Sequence, residues 1–293
     1  MKVLGVTCVV GNQRLPQVVE NTLKTLDVAA APEIPVAAGA ALPLIEKLRP
    51  PMLLHGDDGM ANLGLPSSSR QPADIHAVEL LRVLLEAATQ PVTLIALAPL
   101  TNIALFLRLY PRLAETIDNL TIMGGTFADP GNTTPLAEFN IRHDPEAAAI
   151  VLESGLPIRL YTLDVFRRVA FTQAEAAILA RSTARVAQTA GHMLMHSCGY
   201  FRSEAALIGD AGAVASVIDP TGVTSLRHPI HVELAGTARG QTIVDRRPPS
   251  SRQRLEDDWC TTSACEIQVI TQVDAPRYRQ LFAQTVGAAW PLS

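Results

Sequence analysis

Short apolar runs that stop at glycine or at a loop, each followed by a stretch with helical apolar spacing, recur along this chain. Residues 2–10 are β-branched and apolar up to Gly11-Asn12 and read as a buried strand. Residues 15–30 place Val18, Val19, Leu23 and Leu26 on one helical face. A short strand at 34–38, a helix at 74–88, a strand at 92–98 and a helix from Pro99 through Leu109 continue the rhythm. Strands at 120–123 and 158–162, two helices within 174–200, and a helix at 210–218 extend it. Segments 230–235, 241–244 and 266–271 read as edge strands, and 275–287 as a closing helix. Such alternation dictates parallel strands joined by crossover helices, hence an α/β fold with an open, mostly parallel, doubly wound sheet. No repeat or linker divides the chain, so residues 1–293 are expected to form a single domain. One segment breaks the pattern. Residues 42–70 are rich in Pro, Gly and Ser without a period and centre on His55-Gly56-Asp57-Asp58-Gly59, a long loop expected to be flexible and to act as a flap.

Composition excludes several classes. With 48% hydrophobic residues the chain can bury a large aliphatic core, and a net charge of −4 without a basic run argues against a nucleic-acid partner. The cysteines, Cys8, Cys198, Cys260 and Cys265, form no C-x-x-C pair and read as reduced thiols of a cytoplasmic protein. No signal peptide precedes the first strand and no apolar run is long enough for a membrane span.

Polar residues gather where strands end. The strand 119–123 stops at Gly124-Gly125 and leads into Gly131-Asn132-Thr133-Thr134-Pro135-Leu136-Ala137-Glu138-Phe139-Asn140, closing with His143-Asp144-Pro145. Ligands of open α/β sheets bind at the carboxyl ends of strands, and amides and carboxylates there suit the hydroxyls of a sugar. The same stretch also reads as a turn followed by a helix cap, because Asp144-Pro145 is a good cap and first helical position. Asn12, His55, Thr101, Met123, Asp164 and Asp210 likewise follow strands or open loops and helices. Such an oxygen-rich set suits a hard cation such as calcium. Farther on, His192, His196 and Tyr200 recur every four residues and share one helical face.

Five ordered segments resemble the inosine–uridine preferring nucleoside hydrolases. These are residues 4–12, 55–59, 98–104 (Ala98-Pro99-Leu100-Thr101-Asn102-Ile103-Ala104), 122–125 and 131–140. The resemblance implies hydrolysis of the N-glycosidic bond of ribonucleosides such as uridine, cytidine or inosine, by a calcium-bound water and through an oxocarbenium-like state. It implies that Thr101, through its carbonyl, and Asp210 hold Ca2+. Asn12, Met123, Asn132, Glu138 and Asn140 would hold the ribose, and His55 would sit in the flap near ribose and base. His192, His196 and Tyr200 fall where the family contacts the base, which makes them candidate donors to the leaving group. A cytoplasmic homo-oligomer, dimer or tetramer, serving nucleoside salvage is implied as well.

The chain also departs from the family pattern. The resemblance begins after the family's first strand–helix unit, with its D-x-D-P-G-x-D-D motif, so most calcium ligands and the catalytic base have no counterpart among these residues. Gly209 stands where many members carry histidine, and Phe166 where threonine is usual. The expectation is therefore a site without tight calcium binding, negligible hydrolysis, and strands beside the gap that lack ladder partners and invite association. The alternative function is a non-catalytic nucleoside- or ribose-binding relative.

Overall fold

The structure, a computed structural model, describes residues 1–51, 53–248 and 266–291; Cys260 and Cys265 lie outside the described residues. Its centre is a six-stranded sheet in the order β3-β4-β5-β10-β8-β9, comprising Val92–Ala96, Ile117–Met123, Ile158–Tyr161, Glu266–Val273, Val223–Val232 and Thr242–Val244. The pairs β3/β4, β4/β5 and β5/β10 are parallel, whereas β8 and β9 add antiparallel ladders. β10 corrects the expectation of an edge strand. It lies inside the sheet with Ile267, Val269 and Ile270 buried, because its partners β5 and β8 are distant in sequence and local pattern does not reveal them.

The period of two divides the core. Leu120 and Ile122, Ile158 and Leu160, and Ile267 and Val269 face one layer. Helices α2 (Ala77–Ala87), α3 (Thr101–Leu109), α4 (Pro111–Ala114) and α6 (Pro145–Leu152) cover that side. Met123, Tyr161 and Ile270 face the other layer. There α7 (Leu163–Phe166), α8 (Gln173–Ala180), α9 (Arg185–Phe201), α10 (Gly209–Ile218) and α11 (Ala275–Thr285) pack. Helices on both faces of a largely parallel sheet give the doubly wound α/β arrangement read from sequence. A pairing that the sequence did not suggest, β6 (Ala170–Thr172) against β7 (Ala205–Leu207), ties the start of α8 to the end of α9.

β1 (Val6–Cys8) pairs only with β2 (Val36–Ala38) among the described residues, as a separate parallel sheet flanked by α1 (Leu15–Val28). Ala37 packs on Ala77 and Leu80 of α2 and the Ala73 N–H bonds to the Val36 carbonyl at 2.7 Å, and one side chain ties the unit to α3. Asn102, buried at the start of α3, donates to the Cys8 carbonyl at 2.9 Å and accepts from the Ala40 N–H at 2.8 Å. Among the described residues no helix is long and apolar enough to cross a membrane.

Candidate functional site

β3, β4 and β5 run parallel, so their carboxyl ends share one edge, and the marked residues collect there. The turn after β4 is set by Gly125, whose φ of +68° is left-handed and where a Cβ would stand 2.8 Å from Thr242. The loop then folds on itself. The N–H groups of Asn132 and Thr133 both reach the Ala137 carbonyl at 3.2 Å, and Asn132 Oδ1 accepts from the Phe139 N–H at 2.9 Å. Asp164 holds the outer part, accepting from the N–H groups of Phe127, Ala128 and Asp129 at 2.8, 2.8 and 2.9 Å. The sequence marked Asp164 as a polar strand-end group; here its carboxylate is committed to the loop.

Glu138 is the N-cap of α5 (Phe139–His143) and is 2% exposed. Its Oε1 accepts from the Asn140 N–H at 2.9 Å, and its Oε2 from the N–H groups of Ile141 and Gly125 at 3.0 and 3.1 Å. Burial pushes the carboxyl up to about 7, against those three donors, and the Asp210 charge adds to the rise. Asn140, also buried, donates Nδ2 to the Met123 carbonyl at 3.1 Å, which leaves its Oδ1 uncommitted among the described residues. Met123, Glu138 and Asn140 thus form one connected group at the end of β4. Asp210, in the first turn of α10, has no hydrogen-bond partner among the described residues. Burial by the surrounding protein raises its carboxyl to about 6, although the residue keeps contact with water.

The remaining residues stand farther apart in role. Thr101 opens α3 and its hydroxyl donates to Asp144 at 2.6 Å. Asn12 is exposed just past β1. His55 ends a short 3-10 turn, Leu53–His55, and burial, together with the nearby charge of His196, lowers its pKa below the usual range. Of the three α9 residues marked from sequence, only His196 turns inward; its Nε2 is buried without a partner among the described residues, whereas His192 and Tyr200 are exposed. The loop after His55 carries local bonds that the sequence did not suggest. Asn62 Oδ1 accepts from the Asp57 N–H at 2.8 Å, Asp58 Oδ1 from Met60 and Asn62, and the side chains of Gln13 and Asn21 donate to the carbonyls of Asp57 and Asp58. Local polar side chains therefore hold its shape, in the manner of Asx turns.

Sequence reasoning overlooked Asn102 and Gln13 as supports, although Asn102 lies inside one of the quoted segments; Asp144 caps α6 as its pairing with Pro145 suggested, and also accepts from Thr101. Calcium needs about six to eight oxygens. The Thr101 carbonyl and the Asp210 carboxylate offer three, and no cluster of three or more His, Cys, Asp or Glu suited to a metal ion occurs among the described residues. These residues do not by themselves make a calcium site.

Residues 1–280 match the family described as inosine-uridine preferring nucleoside hydrolase. The pyrimidine-specific ribonucleoside hydrolase RihA of Photobacterium profundum is 37% identical over 252 residues, covering 84% of this chain and 81% of that protein. The inosine-uridine preferring nucleoside hydrolase of Leishmania major is 33% identical, with 95% and 87% covered. Among solved structures, the plant nucleoside hydrolase PpNRh1 superposes with a TM-score of 0.89 at 29% identity, covering 98% of this chain and 91% of that one. With its doubly wound sheet and its polar cluster at the end of β4, the chain belongs to the inosine-uridine preferring nucleoside hydrolases, a family that acts on N-glycosyl bonds.

Proposed function

We propose that this chain binds a ribonucleoside in the cleft at the carboxyl ends of β3–β5 and hydrolyses it to ribose and free base. The observation that carries the reading is the connected group Met123–Glu138–Asn140 facing Asp210. Its acceptors are fixed by backbone bonds before any ligand arrives. Preorganised polar groups of this kind hold a sugar without further ordering cost.

Asn140 Oδ1, the Asn132 amide, Asn12 and Glu138 would take the ribose hydroxyls, with Met123 against the ring. Cleavage of the C1′–N bond leaves positive charge on the ribosyl group, while the base departs with the bonding electron pair. A proton delivered to the base assists that departure. His196 is the proposed donor, since its Nε2 is buried and uncommitted, and His55 beside it is held toward the neutral form. His192 and Tyr200 lie on the exposed side of α9 and are assigned no proton. Water supplies the hydroxyl that replaces the base. Thr101 and Asp210 are the residues that would face a calcium ion; their three oxygens fall short of a complete site, and no step is assigned to a metal.

Likeness to a pyrimidine-specific relative supports a modest preference for uridine and cytidine over inosine. We further place the protein in the cytoplasm, as a homo-oligomer acting on small molecules. Ribose release from uridine, cytidine and inosine, with and without added calcium, tests the reaction. Calorimetric binding of uridine without release from any of the three would replace hydrolysis with the binding-only alternative.

A further inference from the structure

Phe166 closes α7 at the carboxyl end of β5, and α10 begins beside it with Gly209 and Asp210. A Cβ at position 209 would stand 1.6 Å from two carbons of the Phe166 ring. Residue 209 is thus glycine because an aromatic ring occupies its side-chain space, and not because the backbone requires it. The ring is held on the protein side by the core that contains Leu163, Val165, Ile208 and Ala213. It stays half-buried, while Gly209 is buried and Asp210 is exposed. The chain behind the ring is fixed as well. The Phe166 N–H bonds to the Thr162 carbonyl at 3.0 Å, and Asp164 clamps the 127–129 loop. The half-exposed part of the ring is therefore an apolar aromatic surface beside Gly209, the residue that precedes Asp210.

A planar heterocycle is the ligand that such a surface takes, because a π-face stacks on an aromatic ring whatever its edge pattern. Resting on the nucleoside reading above, we propose that Phe166 is the base-contacting, specificity-determining wall of this site, with Gly209 vacating the space that the ring requires. Stacking is tolerant of the base, so this wall favours aromatic bases over the bare sugar and discriminates weakly between pyrimidine and purine. It also supplies no proton, which leaves proton delivery to another group, the role proposed above for His196.

The test is calorimetric binding of uridine, inosine and free ribose to the wild type, Phe166→Leu and Phe166→Tyr, with thermal melts of each. Leucine keeps apolar volume and removes the ring, and should weaken both nucleosides about 5- to 150-fold, the range of base–aromatic stacking. Ribose affinity should stay unchanged within error, and tyrosine should bind nucleosides like the wild type. Unchanged nucleoside affinity in Phe166→Leu would overturn the assignment. So would an equal loss for ribose, which marks a collapsed site, or tyrosine failing as leucine does while melting like the wild type. Nucleoside binding with no turnover in the wild type would refute hydrolysis alone and leave this assignment standing. Failure of the wild type to bind either nucleoside would overturn both.

Discussion

Glu138→Gln separates two opposing effects on one buried carboxylate. Three backbone N–H groups point at two oxygens, one at Oε1 and two at Oε2. An amide keeps one oxygen. Placed at the Oε2 position it retains Gly125 and Ile141 and turns an NH2 group toward the Asn140 N–H. A buried donor left without an acceptor costs about 1–3 kcal/mol. Against this stands the cost of ionising a carboxyl that burial raises from 4.5 to about 7, which is about 3 kcal/mol at high pH. The folded state holds this proton longer than the unfolded chain does. The stability it gives is therefore present in full below 4.5 and is lost as pH rises through about 7. Wild type should thus exceed Glu138→Gln by about 1–3 kcal/mol near pH 5, with the difference shrinking to nothing or reversing near pH 8. Urea melts of both proteins at pH 5, 6, 7 and 8, in chelator, read this directly. An advantage of the wild type that grows with pH would refute the reasoning, since it would mean that the three donors outweigh burial and depress the carboxyl.

Three further outcomes are expected. Asn102→Ala strands the Cys8 carbonyl and the Ala40 N–H, each worth about 1–3 kcal/mol if left buried and unpaired, so its thermal midpoint should fall and limited proteolysis should cut first in residues 1–40. His196→Ala should slow uridine hydrolysis about 10²–10⁴-fold while sparing a nitrophenyl riboside, whose leaving group needs no proton; His192→Ala and Tyr200→Phe should stay near the wild type on both. Gly209→Ala should destabilise the wild type but be tolerated in a Phe166→Ala background, with a coupling of about 0.5–3 kcal/mol in a double-mutant cycle of melts.

The fold was legible where period and turn residues act locally. Apolar spacing in residues 15–30 became α1, Leu15–Val28, and the 174–200 stretch split into α8 and α9. What local pattern cannot carry is the identity of distant ladder partners. β10 reads as an edge strand because its Ile and Val positions say only that they are buried, whereas its place depends on β5 and β8, each reached across a long connection. Segment 55–62 is the loop that the sequence suggested, but its internal bonds were not legible. Gly, Asp and Asn without a period suggest freedom, yet the same short side chains bond to neighbouring N–H groups and fix the loop.

The site was legible as a set of positions but not as a division of labour among them. Asp144, Asp164 and Asp210 all follow or open elements, and composition makes them equivalent. Partners separate them. Asp164 meets three N–H groups, and Asp144 meets the Thr101 hydroxyl and the N–H groups of Leu44 and Ala147, so both are spent on structure. Asp210 meets none among the described residues, and Asn140 Oδ1 and His196 Nε2 share that state. Of the three only His196 Nε2 is also kept from water, a state that costs about 1–3 kcal/mol and that a bound ligand would relieve by supplying the missing bond. Of the three aspartates, Asp144 and Asp164 close their bonds within the protein and shape the loops, and Asp210 alone keeps a carboxylate open to a ligand.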